Sequence, residues 1–511
     1  MKRVRSRQES VPLMLLAPAV VAVLVALLPL WYLLDQAAGE GLANAWSDLW
    51  TSQTAQLLWR SLGLAVTVTA LCVLIGTTSA FLVVRTDVPM ARTFEVLLAL
   101  PLAVPSFVAA FSWVSWFRWL AGFWGAVLVL TLVSYPFVYL PVVAALRRLD
   151  PAQEEVARSL GRSRTGVVAA VTLPQLRPAV AAGALLVALY VLSDFGAVGT
   201  MRYEAFTWVI YGAFRAGFDP GRAAVLSSLL VAVALLVVFA ESVVRGRPGF
   251  TRLGSGAPRS PERLDLGRWR AAALVVLFTV LLPAVAFPVG SVTIWFLRGF
   301  SAGIDWAELA TAAAQSLLLA VSGMVATMLM AVPLGILAAR HRNRRTRFIE
   351  GSVYVTHALP GIVVALSLVF VGVNLLRPLY QSVPMVALAY AVLFLPLGVG
   401  AVRASVEQSP VVLEEVAHCL GAGRWRVLAR VTLPLALPGL ASGAALVLLA
   451  AMKELPATLL LHPTGTETLA MNVWSDTAVG RYASAAPFAL ALLLVAVVPT
   501  WLLARTSRSA L

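Results

Sequence analysis

Apolar residues in this chain come in long blocks, not at the spacing of a water-facing helix. A run of about 18 or more apolar residues is long enough to cross a hydrocarbon core. Twelve such runs alternate with short polar stretches, near 12–34, 57–84, 95–117, 122–146, 178–200, 223–244, 270–296, 312–339, 352–373, 383–402, 439–461 and 484–504. Most are rich in Leu, Val and Ala and carry internal Gly and Pro, which membrane helices tolerate better than soluble ones. The pattern predicts an all-α polytopic membrane protein with twelve transmembrane helices.

Composition removes the other classes. Of 511 residues, 60% are apolar and only 12% charged, and the mean hydropathy is +0.88. A soluble domain needs about 25% charged residues to solvate its surface. The apolar content excludes disorder, and two cysteines, Cys72 and Cys419, exclude a disulfide scaffold. The net charge of +15 does not point to nucleic acid, because cationic loops set the orientation of membrane proteins. Arg and Lys flank the first span at residues 2–7 without a cleavage site after it, so the N-terminus is expected in the cytoplasm and the span uncleaved. Assigning alternate loops from that start leaves 30 of the 39 Lys and Arg residues on the cytoplasmic side. Both termini are then cytoplasmic.

The chain repeats itself. Residues 154–183 and 414–443 align without gaps and agree at 16 of 30 positions. Leu100-Pro101 pairs in sequence with Leu359-Pro360, Leu140-Pro141 with Leu395-Pro396, and Ser61-Leu62 with Ser316-Leu317. The chain therefore divides into a first membrane domain, 1–244, a cytoplasmic linker rich in Arg, Gly, Pro and Ser, 245–269, and a second membrane domain, 270–511. Six spans per half keep both halves in one orientation, a parallel repeat.

The repeated block is a cytoplasmic loop, not a span. In each copy a proline, Pro151 or Pro410, precedes a short helical stretch with Glu154-Glu155 or Glu414-Glu415 near its start, where acidic residues suit the helix dipole. Gly161 or Gly421 then closes that stretch, and a second short helix leads through Thr-Leu-Pro into the next span. Such a rigid bracket, present twice, suits docking onto a two-fold symmetric cytoplasmic partner.

This block resembles the EAA motif of ABC importer permeases: Glu-Ala-Ala, Gly after three residues, then Ile-x-Leu-Pro after nine more. The first copy is Glu155-Val156-Ala157, Gly161, Val171 and Leu173-Pro174. The second is Glu415-Val416-Ala417, Gly421, Val431 and Leu433-Pro434. Valine replaces the first Ala and the Ile in both. The resemblance implies a type I ABC importer permease fold with both membrane domains fused in one chain of the inner membrane. It implies that Glu154, Glu155, Ala157, Gly161, Glu414, Glu415, Ala417 and Gly421 couple to a homodimeric ATPase subunit, and that an external binding protein delivers the substrate. Segments 192–208 and 452–474, above all Lys453-Glu454-Leu455-Pro456-Ala457-Thr458, resemble fused permeases for ferric iron. Related permeases for thiamine, polyamines and phosphonate compounds share that architecture. Secondary transporters of the major facilitator type also have twelve spans, but their signature sits between the second and third.

No Gly-Lys-Ser/Thr phosphate loop is present, so ATP and Mg are expected on the partner, with no catalytic residue and no cofactor in this chain. His341, His357, His418 and His462 are scattered and set up no metal site. Asp194 and Glu454 fall at matched points of the fifth and eleventh spans. A carboxylate inside or at the edge of a span is either an interfacial residue or part of a translocation pathway.

Overall fold

Nine helices among the described residues are long and apolar enough to cross a membrane, from Met14–Gln36 to Arg424–Met452. The coordinates are a computed structural model that describes residues 13–39, 51–217, 219–245, 263–300, 303–341, 343–356 and 358–508. Two further apolar stretches are bent pairs, Ala91–Ala103 with Ser106–Val114 at 91° and Arg344–Thr356 with Gly361–Asn374 at 101°. A last apolar helix runs over Tyr482–Arg508. Counting each bent pair as one span gives up to eleven among the described residues, against the twelve expected; the last run corresponds to a shorter apolar stretch, Tyr482–Ala496.

Proline sets the two bends. Pro105 and Pro360 each precede the inner helix with extended backbone, ψ 141° and 146°. A residue without an N–H and with fixed φ starts a helix well and continues one badly. The bends correct one pairing of the repeat: Pro105, not Pro101, is the structural counterpart of Pro360. The spans expected over 178–200 and 439–461 also end early. Helices Leu173–Ser193 and Leu433–Met452 stop, and short helices Gly196–Thr200 and Pro456–Leu461 follow.

Two compact units emerge, and they do not follow the division by repeat. One unit comprises Met1–Leu42, Asp305–Asn472 and Ala491–Leu511; the other comprises Ala43–Ile304 and Val473–Leu490. The opening helix of each half thus packs with the body of the other half. In the first unit Ala19, Ala22 and Ala26 of Leu13–Gly39 sit in one core with Leu334, Val399 and Val402. Small residues allow this closeness, as in membrane interfaces generally. A Cβ on Gly335 would lie 2.5 Å from Val402, and one on Gly443 2.6 Å from Ala401. In the second unit a Cβ on Gly183, the repeat counterpart of Gly443, would lie 2.7 Å from the Val138 backbone.

Most of the linker, 246–262, lies outside the described residues. Its end is pinned to the second unit. Leu264 pairs with Thr86 in an isolated bridge, its N–H donating to the Arg85 carbonyl at 2.7 Å. Asp87 accepts from Arg270 Nε at 2.9 Å and from the Leu266 N–H at 2.9 Å. The Arg270 guanidinium and then the Leu266 N–H hold the Asp87 carboxyl below the usual carboxylate range.

Candidate functional site

The two brackets start differently and close alike. Helix Pro151–Ser159 starts at Asp150, whose side chain caps the Ala152 N–H at 3.1 Å. Helix Val411–Cys419 starts at Pro410. Both close in a Schellman motif. The Gly161 N–H donates to Arg158 O at 2.9 Å and the Arg162 N–H to Ala157 O at 3.2 Å; Gly421 and Ala422 repeat this with His418 and Ala417, both at 3.0 Å. The motif needs a residue with positive φ just past the helix end. Gly161 has φ +84° and Gly421 φ +80°, and open space surrounds both.

The second limb enters the membrane helix through a widened turn. The Leu173 N–H reaches back five residues to Val168 O, and the Leu433 N–H to Leu428 O. The following residue is proline in both, Pro174 and Pro434. It cannot donate an i→i−4 bond, and a π-type turn absorbs the gap.

The two glutamates of each copy have different tasks. Glu154 is buried and accepts from Arg85 Nη2 at 2.5 Å and Thr172 Oγ1 at 2.8 Å. Glu414 accepts from Arg340 Nη2 at 2.7 Å and Thr432 Oγ1 at 2.9 Å. Arg85 and Arg340 end the long helices Ser52–Arg85 and Trp306–Arg340. Each Arg–Glu–Thr set therefore ties three elements together: a long span, the bracket and the start of the next span. Sequence reasoning missed Arg85, Arg340, Thr172 and Thr432. The signal was present, since Arg85 and Arg340 stand 255 residues apart, the offset of the Ser61/Ser316 pair.

Glu155 and Glu415 instead point outward, with Val156, Leu160, Val416 and Leu420 exposed beside them. Ala157 is buried and Ala417 half-buried under their brackets. Each bracket thus exposes two apolar side chains beside its carboxylate, an apolar patch suited to a protein groove more than to water.

Asp194 and Glu454 occupy matched breaks at the far end of the spans. Asp194 is buried, and its Oδ1 accepts from the N–H groups of Ala197 at 2.8 Å and Val198 at 3.3 Å. Glu454 Oε1 accepts from the Ala457 N–H at 3.1 Å. Each carboxylate caps the short helix that follows. Glu454 also packs on Gly361, where a Cβ would lie 2.7 Å from Oε1, and Asp194 bonds with Ser106, the counterpart of Gly361. Among the described residues no three His, Cys, Asp or Glu gather as metal ligands. His357 lies outside the described residues.

Comparison with known proteins completes the picture. Residues 72–246 and 331–510 each match the family model described as binding-protein-dependent transport system inner membrane component. An Fe(3+)-transport system permease protein of Haemophilus influenzae is 37% identical over 481 residues, covering 93% of this chain and 95% of that protein. A sulfate transport system permease protein of Escherichia coli is 30% identical over 247 residues, 44% of this chain and 89% of that one. A molybdenum transport system permease protein of Mycobacterium bovis is 34% identical over 218 residues, 38% of this chain and 82% of that one.

Proposed function

Because the chain belongs to the family of binding-protein-dependent transport system inner membrane components, we propose that it is the fused permease of an ABC importer that carries ferric iron across the inner membrane. Two brackets that close alike, each tied to a long span through a buried or half-buried Arg–Glu pair, carry the coupling part of this reading. The exposed faces at Glu155 and Glu415 dock a homodimeric ATPase, one bracket per subunit. ATP and Mg bind there and not on this chain. Closure of the ATPase dimer pushes both brackets, and the Arg–Glu ties pass that push to Ser52–Arg85 and Trp306–Arg340. An external binding protein supplies the iron. Both termini and the linker 245–269 face the cytoplasm, with the brackets.

The iron assignment is supported by the Haemophilus influenzae relative, whose similarity runs through both halves. It is tested in lipid nanodiscs holding this chain with its ATPase. Iron-loaded binding protein should raise ATP hydrolysis well above the level with the empty binding protein. Stimulation by sulfate- or molybdate-loaded binding protein and none by the iron-loaded form would remove iron from the reading.

A further inference from the structure

At the end of the second unit remote from its bracket lies a cavity of about 200 Å³, walled by Arg118, Arg202, Trp208, Trp474 and Tyr482. Its position follows from one helix. Arg60 of Ser52–Arg85 pairs with Glu204, beside Arg202, and accepts at its carbonyl from Tyr203 Oη at 3.0 Å; Arg85 pairs with Glu154 in the bracket. Twenty-five residues separate Arg60 from Arg85, about 37 Å of helix at 1.5 Å per residue. That exceeds the ~30 Å of a hydrocarbon core. The cavity and the bracket therefore belong to opposite membrane faces.

The cavity is built, not incidental. The Gly122 N–H donates to Met201 O at 2.6 Å, which staples the loop of Arg118 to the loop of Arg202. Phe195 packs against both indoles, with ring centroids 5.8 Å from Trp208 and 5.0 Å from Trp474. Gly199 lets both indoles close in, since a Cβ there would lie 2.5 Å from Trp474 and 2.9 Å from Trp208.

Its chemistry is one-sided. Two arginines, Arg118 and Arg202, line it and no carboxylate does, and among the described residues neither arginine forms an ion pair. Guanidinium forks match carboxylate and phosphate oxygens. Arg202 also stands in a left-handed conformation, φ +53°, which a side chain resists. The second half uses glycine at the matched turn, Gly465 with φ +79°. The match is fixed by register: each residue lies four positions before the N–H that donates to Ser61 or Ser316 Oγ, Phe206 and Leu469. The first half thus keeps an arginine where the fold asks for glycine, at the rim of this cavity.

We propose that the cavity receives the cargo as an anionic complex, a metal ion enclosed in carboxylate or phosphate oxygens, gripped by Arg118 and Arg202 between the aromatic walls. This rests on the ferric-iron reading for the identity of the metal. A ferric ion stripped of oxygen ligands hydrolyses in neutral water, and no acidic cluster waits in this cavity to replace those ligands. Passage as an oxyanion complex satisfies both constraints.

The test is equilibrium binding to the purified complex of this chain with its ATPase. The probes are radiolabelled iron offered as ferric citrate, labelled citrate alone and labelled molybdate. Arg202→Gly installs the residue of the matched turn and should fold; Arg118→Gln keeps a polar side chain; Arg481→Gln, outside the cavity lining, controls for general loss of charge. Iron and citrate should be retained together, and each of the first two variants should weaken retention about tenfold or more, the loss of one charge-assisted pair. Arg481→Gln should not. Molybdate retention that is lost in both variants, with no iron retained, would keep the anion site and overturn ferric iron as cargo. Iron retention unchanged in both variants would keep iron and overturn the site; failure of the wild-type complex to retain any of the three probes would overturn the site.

Discussion

Arg85 and Arg340 end equivalent helices, yet their surroundings differ. The side chains of the Arg85–Glu154 pair are 2% and 9% exposed, against 14% and 17% for Arg340–Glu414. Arg340 also donates to the Ser409 carbonyl at 3.0 Å. Removing one charge of a buried pair strands the other and costs about 3–5 kcal/mol. Glu154→Gln should therefore destabilise the complex by that order. Glu414→Gln should cost less, because Arg340 keeps a carbonyl and some water. Thermal unfolding of the two purified variants checks this; equal shifts in midpoint would contradict the ranking. Asp194 and Glu454 pose a separate residue-scale question. Asparagine caps a helix about as well as aspartate, so Asp194→Asn with Glu454→Gln should leave the breaks and ATPase docking intact. If the cargo reaches these carboxylates as a cation, released from its anionic complex in a partly dehydrated path where Coulomb attraction is several-fold stronger than in water, uptake should fall by most of its value. Uptake equal to wild type at equal expression would make both residues caps alone.

At the scale of elements, the bracket turn carries the sharpest expectation. Gly161 and Gly421 hold positive φ in open space, so a larger side chain there meets no neighbour. What a β-branched residue does meet is its own backbone. Gly161→Val with Gly421→Val should leave the chain in the membrane and abolish stimulated ATP hydrolysis, read in the nanodisc assay; wild-type stimulation would refute a docking role for the turns. Much of this element was legible from sequence. Acidic start, glycine stop and Leu-Pro exit are local signals, and the gapless repeat doubled each of them. The division of labour between Glu154 and Glu155 was not legible, because it depends on Arg85, which lies 69 residues earlier. Nor were the bends at Pro105 and Pro360, since hydropathy averages over a span and does not register direction. The breaks after Ser193 and Met452 were hidden the same way. An apolar run continues through both, and only the carboxylate followed by Gly196 or Pro456 marks the end of one helix and the cap of the next.

For the whole molecule, the repeat and the packing divide the chain differently. Sequence similarity separates 1–244 from 270–511, whereas each compact unit takes its opening helix from the other half. Sequence could not reveal this exchange, because a Leu- and Ala-rich helix such as Leu13–Gly39 carries no mark of its neighbour. The exchange makes a separated half incomplete. Residues 1–244 expressed alone would expose the face around Ser112 and Trp113 that Gly267–Phe300 covers, and should be degraded or aggregate, while coexpression with 245–511 should restore a membrane complex. A stable, folded 1–244 fragment would contradict the exchange. Orientation is tested on a background without Cys72 and Cys419. Cysteines at Ser6 and Ser255 should resist an impermeant thiol reagent in intact cells and one at Ser301 should react; the reverse pattern would invert the topology. These three positions lie outside the described residues, so the expectation rests on the distribution of arginine. The central claim, transport driven by ATP through two brackets, meets its most direct test in proteoliposomes holding this chain with its ATPase, supplied with iron-loaded binding protein. Radiolabelled iron should accumulate only with ATP, unaffected by collapse of the proton gradient. Accumulation that persists without the ATPase subunit and follows an imposed proton gradient would contradict the account.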